Sequence, residues 1–271
     1  MKATAKLAVI ALFACPAAFA EHDRPGLPMP IASAEKAALP PGSANAPWQG
    51  ESLKFSLDWG LIAVGSAEMD YDTVINVDGV LCHHLVTKAK SNGFVDTFFR
   101  VRDQNDTCIN VKDRTSRFYA KKIREGSYLW DEWVMFDQPA RKYKGQQKDR
   151  AGNITPLEGT LPGDVQDILS ALYYVRSGEM AVGKDIVFDV NTTKNWPLVV
   201  KVLRRETVKV PAGKFDCFVI RPEMRDKGIF VQKGKSLTVW VTADDKRMPV
   251  KMQAEVFIGN VSAELESYSR K

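Results

Sequence analysis

Apolar and polar residues alternate with a period of two along most of this chain. Between Leu53 and Trp59 the odd-numbered positions are apolar, and Lys54, Ser56 and Asp58 lie between them. Successive side chains of a strand point to opposite faces, so this pattern predicts one buried and one solvated face. Comparable runs predict further strands at 66–77, 81–90, 94–103, 116–124, 128–137, 140–147, 184–191, 198–210, 214–222, 229–233, 236–243, 249–258 and 261–268.

Short strands joined by turn residues predict the fold class. Asp78-Gly79 follows the second run and suits a tight turn, because glycine tolerates positive φ. A flat sheet of so many strands would be unusual. The sequence therefore predicts a mainly β protein, built as a large curved antiparallel sheet or a partly open β-barrel with one packed amphipathic helix.

The helix is predicted at about residues 164–176, where the period changes. Pro162-Gly163 precedes this segment and Gly178 follows it, as expected at the ends of a helix. The stripe of apolar side chains predicts packing on the sheet or at the end of a barrel, and it consists of Val165, Ile168, Leu169, Leu172 and Val175.

Residues 1–20 have the features of a secretory signal peptide. Two lysines precede an uncharged run, and Ala18-Phe19-Ala20 provides a small-x-small cleavage site. Cleavage there would leave an exported protein, periplasmic or secreted, with no transmembrane span in its mature form. The segment ending at Cys15 also resembles a lipoprotein box, although Phe13 is bulky for one, so a lipid-anchored protein of the outer envelope is the second possibility. Residues 21–47 are rich in Pro and Ala and predict a flexible leader before a single β domain at 48–271.

The charge balance argues against a nucleic-acid partner. The chain has 38 Lys and Arg against 33 Asp and Glu, and removal of Lys2 and Lys6 with the signal leaves 36 against 33. The basic residues are mixed with acids, as in the clusters 100–103 (RVRD) and 121–125 (KKIRE), which we interpret as solvated faces.

Three cysteines remain after the signal peptide: Cys82, Cys108 and Cys217. An oxidising compartment permits one disulfide among them, and all three pairings remain open. Cys82 and His84 share a strand face, but zinc normally requires three or four such ligands. The sequence therefore predicts no metal site and no cofactor.

Two groups of side chains are candidates for function. Asp58, Glu68, Asp70 and Asp72 lie on the polar faces of the first two predicted strands, where paired carboxylates could support acid–base catalysis, although ordinary surface acids are favoured. In a later strand, Tyr128 and Trp130 share one face and Trp133 lies on the other. These aromatic side chains could contact a sugar ring or an acyl chain, or simply belong to the core.

The segment 210–214 (VPAGK) predicts a three-residue hairpin loop with a glycine bulge. This hairpin within 206–217 (ETVKVPAGKFDC), the opening 50–60 (GESLKFSLDWG) with 63–68 (AVGSAE), and 237–240 (LTVW) followed by 247–250 (RMPV) together resemble a bacterial exported family of unknown function, DUF3108. The resemblance spans about residues 48–268. It implies an exported, mainly antiparallel β protein of the cell envelope, and it implies no catalytic residues.

Three functions are compatible with these features. The leading hypothesis is a non-enzymatic, β-barrel-like binding protein for an apolar or amphipathic ligand, because a curved sheet with one helix commonly leaves a cavity. A secreted hydrolase of the aspartic-peptidase or glycosidase type is the first alternative, and an envelope scaffolding module is the second. The expected partners are accordingly a lipid, a glycan or another envelope protein, and not nucleic acid.

Overall fold

The computed structural model describes residues 25–41, 43, 46–224, 236–256 and 259–270. The signal peptide, Cys15 and the predicted strand at 229–233 lie outside the described residues. The strands are β1 (Glu51–Trp59), β2 (Ile62–Val77), β3 (Val80–Ser91), β4 (Arg102–Asn110), β5 (Ser116–Glu125), β6 (Tyr128–Asp137), β7 (Lys142–Lys148), β8 (Ile154–Thr160), β9 (Val165–Gln166), β10 (Asp185–Asn191), β11 (Asn195–Val210), β12 (Gly213–Met224), β13 (Leu237–Thr242), β14 (Pro249–Glu255) and β15 (Asn260–Arg270). The helices are α1 (Gly93–Asp96) and α2 (Ser170–Ser177).

All the described strands belong to one sheet with a simple order. Strands β1 to β8 follow one another from the centre to one edge, and β15 back to β9 form the other half, with β1 paired to β15. Every pairing is antiparallel except that of β9 with β10. The edges β8 and β9 are not hydrogen-bonded to each other, so the sheet is not closed into a barrel. This arrangement confirms the predicted large antiparallel sheet.

Side chains from both halves of the sheet meet in a common core. Leu53 and Phe55 of β1 are fully buried, whereas Lys54 between them is exposed. Phe55 lies opposite Leu265 of β15, and Leu53 lies opposite Met69 of β2. These residues belong to one cluster with Trp240 and Tyr173, so the period of two does separate a core face from a solvated one.

The predicted strand at 94–103 is wrong, because a short helix begins in its place. The side chain of Asn92 accepts a hydrogen bond from Val95 N at 3.0 Å and caps the first turn of α1. The strand begins only at Arg102, as β4, and continues to Asn110. Strand β8 was also not predicted, because it is largely exposed and contains Pro156, as is typical of an edge strand.

Helix α2 is present but begins later than predicted. Asp167 Oδ1 accepts hydrogen bonds from Leu169 N at 2.7 Å and Ser170 N at 2.8 Å, which places the start of the helix after this aspartate. Val165 upstream is extended, because its N–H and carbonyl bond to the side chain of Gln138 and it pairs with β10. The segment 164–166 is therefore not helical.

Helix α2 and Trp48 cover one end of the sheet, which we call the plugged end. The indole of Trp48 donates to Tyr173 O at 3.3 Å, and the two rings meet edge to face with centroids 5.1 Å apart. Arg176, fully buried, bonds through Nη2 to Glu51 Oε2 at 2.7 Å. Asp167 accepts further bonds from Thr107 and Ser116 hydroxyls, each at 2.6 Å. Buried polar groups thus join α2 to three strands.

The Pro- and Ala-rich segment lies against the sheet over part of its length. Ile31 is buried in a cluster with Cys82 and Phe118, on the face opposite to the main core. Backbone bonds join Ala37 N to Val74 O at 2.9 Å and Asn76 N to Glu35 O at 3.0 Å. The described part of the segment expected to be a flexible leader is therefore packed on the domain.

Candidate functional site at the open end of the sheet

The four carboxylates proposed from the sequence each have different surroundings. Glu68 lies opposite Lys54 on β1 and Lys88 on β3. Asp70 accepts a hydrogen bond at 2.5 Å from Ser52, its partner on β1. Asp58 lies six positions after Ser52 on β1, so it is roughly 20 Å from Asp70 at strand spacing. The register therefore separates Asp58 from Asp70.

Asp72, the fourth carboxylate, contacts a histidine. Its Oδ2 lies 3.2 Å from His84 Nδ1, and His84 Nε2 lies 3.1 Å from Asp106 Oδ1. Gln104 Nε2 donates to the other oxygen of Asp106 at 2.8 Å. Burial opposes the charge on His84, but the hydrogen bonds and charges of Asp106 and Asp72 raise its pKa. His84 is thus held between two acids. Within the described residues, no group of three or more His, Cys, Asp or Glu side chains could hold a metal ion.

His83, the neighbouring histidine, faces the core. Its Nδ1 lies 3.0 Å from Tyr71 Oη, and the ring meets Trp48 edge to face at 5.0 Å. Burial, helped by the charge of Arg114, lowers the pKa of His83 to about 4. The two histidines consequently lie on opposite faces, as the strand period predicts, and His83 is neutral near pH 7.

The three cysteines are buried free thiols. Cys82 and Cys108 share a cluster under the N-terminal segment, whereas Cys217 belongs to the main core. Burial raises the pKa of Cys82 and of Cys217 to about 12, and it raises the pKa of Cys108 well above its ordinary value. A buried thiol with a raised pKa forms little thiolate, so these side chains have the character of packing residues.

The aromatic residues of β6 divide between the two faces. Trp133 packs against the cluster beneath the N-terminal segment. Trp130 lies on the face of the main core, where its Nε1 donates to Glu132 Oε2 at 3.1 Å. Tyr128 lies on the same face and is 39% exposed. Of the three predicted ligand residues, the structure therefore brings Tyr128 and Trp130 together and separates them from Trp133.

Charged residues that sequence reasoning missed surround these two aromatics. Lys121 lies opposite Glu132, and their side chains form an ion pair at 3.2 Å. Glu125 lies opposite Tyr128. We define the mouth as the site on the main-core face formed by Asp103, Lys121, Glu125, Tyr128, Trp130 and Glu132.

Two carboxyl groups interact within the mouth. Burial, reinforced by the charge of Asp103 and a hydrogen bond with it, raises the pKa of Glu125 to about 9. Asp103 Oδ1 also accepts a bond from Arg124 N at 2.8 Å. Glu125 therefore carries a proton near pH 7. Asp103 and Glu125 belong to the clusters 100–103 and 121–125, which were interpreted above as solvated faces. Only knowledge that β4 pairs with β5 would have predicted that the two acids interact.

The turns around the mouth expose large apolar side chains. Leu61 is 103% exposed, Ile62 53%, Phe94 68% and Phe98 53%. Asn92 connects the two loops, because its side chain donates to Ala63 O at 2.6 Å and its N–H to Val64 O at 2.9 Å. We call these four apolar residues the rim.

The rim and the mouth lie at the same end of the sheet, which we call the open end. Gly65 pairs with Ser91, and the bridge between Val101 and Glu125 links the α1 loop to β5. Gly126 N, in the turn between β5 and β6, bonds to Arg100 O at 2.8 Å. An exposed cluster of apolar residues on a soluble domain typically marks a binding surface.

Comparison with protein families identifies the group to which the chain belongs. The model of the family described as "Protein of unknown function (DUF3108)" matches residues 54–266. The chain belongs to the DUF3108 family. The match confirms the resemblance inferred from the motifs, and no curated protein matches the chain.

One solved structure supports the fold of this DUF3108 protein. A β-barrel-like protein of the DUF1849 domain from Brucella abortus aligns with a TM-score of 0.55 at 9% identity, covering 82% of this chain and 97% of that one. A protein provisionally described as exported, with a YmcC-like fold, from Bacteroides fragilis aligns at 8% identity over 82% of this chain and 96% of its own, with a TM-score of 0.37. At 9% identity the likeness to the DUF1849 protein concerns the fold alone. Among the described residues, neither helix has the length and hydrophobicity that a membrane span requires.

Proposed function

We propose that this DUF3108 protein is an exported, non-enzymatic envelope protein that binds an amphipathic lipid at the open end of its sheet. The observation that carries the proposal is the exposure of the rim: Leu61, Ile62, Phe94 and Phe98. Exposed apolar side chains cost free energy in water, and an acyl chain or membrane surface would cover them. The signal-like segment 1–20 supports export to the periplasm, with lipidation at Cys15 as the alternative.

The surroundings of the rim suit a ligand with a polar head. Phe94 and Phe98 stack edge to face with centroids 5.6 Å apart, forming one apolar surface. The protonated Glu125 carboxyl, Tyr128 and the Lys121–Glu132 pair lie in the mouth, at the same end of the sheet. Lys90 lies beside the α1 loop, is exposed, and faces Ser66 and Arg102 across its strand pairings. A positive charge beside an apolar surface favours an anionic lipid.

Vesicle binding tests this function. The mature protein should sediment with mixed phosphatidylethanolamine–phosphatidylglycerol vesicles. The double substitution Phe94→Ser and Phe98→Ser should weaken binding by about tenfold or more, since two aromatic side chains no longer enter the lipid.

Val187→Ser is the matched control, because Val187 is equally exposed, at 56%, but lies on β10 away from the rim. Its binding should stay within about twofold of wild type, because it removes apolar surface outside the contact. Equal binding by the wild type and the double variant would reject the proposal.

A further inference from the structure

A second candidate site lies on another part of the sheet, in a groove across β11 to β15. The groove has a volume of about 290 Å³, and its lining includes Arg204, Arg221, Thr238, Trp240 and Gln253. Thr238 and Gln253 lie opposite each other. Trp240 lies opposite Val219, which is two residues before Arg221 on β12. We call this site the Trp240 groove.

Most charges around the Trp240 groove are already compensated. Arg204 bonds to both oxygens of Glu206, through Nε at 2.8 Å and Nη2 at 2.9 Å. Trp240 Nε1 donates to the same carboxylate at 2.6 Å. The bonds from Arg204 and Trp240 hold the pKa of Glu206 below its ordinary value. Glu206 therefore bonds to Arg204 and to Trp240, and the second bond fixes the position of the indole.

Arg221 is the exception. Its Nε is inaccessible to solvent and has no hydrogen-bond partner among the described residues. Lys201, which lies opposite Arg221 on β11, is paired instead with Glu223 at 2.7 Å. A partly buried guanidinium whose Nε has no acceptor among the described residues favours a bound anion, and its planar fork matches a carboxylate.

The rest of the lining is polar and largely uncharged. Thr238 and Gln253 can donate and accept hydrogen bonds, as can Ser236 and Asn260 at the end of the groove. Glu255, also in the lining, is exposed and can accept from hydroxyl groups. The indole of Trp240 is part of the lining, and Lys251 Nζ lies 5.7 Å from its ring centre. A ligand rich in hydroxyl groups would satisfy these side chains, and a simple inorganic anion would leave most of them without partners.

We infer that the Trp240 groove binds an acidic saccharide, with Arg221 holding its carboxylate and the amide and hydroxyl side chains holding its hydroxyl groups. The volume suits one sugar unit of a longer glycan. None of the residues that line the groove belongs to the rim, although Asn260 accepts a hydrogen bond from Gly60, next to Leu61. The saccharide and vesicle experiments use different ligands and variants, so each proposal can fail without the other.

Titration of the mature wild-type protein with three probes tests the inference, with binding measured by calorimetry and by the change in tryptophan fluorescence. The probes are a hexuronic acid disaccharide, the corresponding neutral disaccharide, and acetate. The acidic disaccharide should bind at least about tenfold more tightly than either of the others, since only it supplies both a carboxylate and hydroxyl groups. Equal binding of the two disaccharides, equal binding of acetate, or no binding of the acidic disaccharide would overturn the inference.

The substitution Arg221→Met tests whether Arg221 contacts the carboxylate of the saccharide. It should weaken binding of the acidic disaccharide by about tenfold or more, because it removes a charge-assisted hydrogen bond. Lys201→Met, which removes a neighbouring positive charge at an exposed pair, should change affinity by no more than about twofold. An unchanged affinity in Arg221→Met would contradict the inference, and should that variant not fold, the three-probe titration of the wild type still decides it.

Discussion

The two ends of the sheet differ in what they bury. At the plugged end, charged side chains are removed from water: Arg176 is fully buried against Glu51, and Asp167 accepts bonds from two hydroxyls and two backbone N–H groups. At the open end, apolar side chains such as Leu61 and Phe94 face water. Both arrangements oppose the usual distribution of residues. At the plugged end the charged groups are stabilised by partners within the chain, whereas no described residue covers the apolar side chains at the open end. We therefore associate the plugged end with stability and the open end with recognition.

The largest expected effect is at the plugged end. Arg176→Met should lower the free energy of unfolding by about 3–5 kcal/mol, because it leaves Glu51 buried without its partner. Urea unfolding followed by circular dichroism measures this change.

Lys201→Met is the matched control, because its pair with Glu223 is exposed, with side chains 42% and 37% accessible. Removal of such a pair should cost at most about 1 kcal/mol. Similar losses in both variants would show that the plugged end is not specially important for stability.

A moderate effect that depends on pH is expected in the mouth. The folded pKa of Glu125 is about 9, above its ordinary 4.5, so the proton held in the folded state stabilises the protein fully below the lower value. This contribution is lost as pH rises from 4.5 towards 9. Glu125→Gln has no such loss, and at about pH 8 it should be more stable than wild type by about 1–3 kcal/mol.

Urea unfolding at about pH 4 and about pH 8 measures this dependence, and at the lower pH the two proteins should differ little. A stability difference that is the same at both values would mean that folding does not raise the pKa of Glu125.

The smallest effect on stability is expected at the rim. The double substitution Phe94→Ser and Phe98→Ser should change the free energy of unfolding by less than about 0.5 kcal/mol, because both side chains are exposed in the folded protein. Phe55→Ser, in the buried core, should by contrast cost at least about 3 kcal/mol.

Thermal and urea unfolding of the double variant and of Phe55→Ser test this difference in stability. A large loss in the double variant would assign the rim a structural role and remove the distinction between the two ends.

Local pattern was sufficient for most strands, because a period of two reflects one buried face wherever a strand lies. It failed where short-range capping competed with it. The apolar residues of 94–103 resembled a strand, but the side chain of Asn92 satisfies the first N–H groups of α1 instead. Similarly, the apolar stripe of 164–176 predicted a helix, but Gln138, distant in sequence, holds Val165 in an extended conformation.

The candidate sites were less predictable. The shared face of Tyr128 and Trp130 was predicted correctly, because a strand face can be read from spacing. Their neighbours Asp103 and Glu125 were not predicted, because each belongs to a mixed cluster that is ordinary on a surface. Only the register between β4 and β5 makes them interact, and a shift by one residue would move either to the other face.

By itself the sequence determined the family, the mainly β fold class and the alternation of buried and solvated positions, since each depends on residues close together in the chain. The tertiary structure decided that β1 pairs with β15, that α2 packs at the end where β1 begins, and that Arg221 Nε lacks a hydrogen-bond partner among the described residues. These features depend on pairings between distant segments, and burial changes the free energy of a charge or an apolar surface only after those segments have come together.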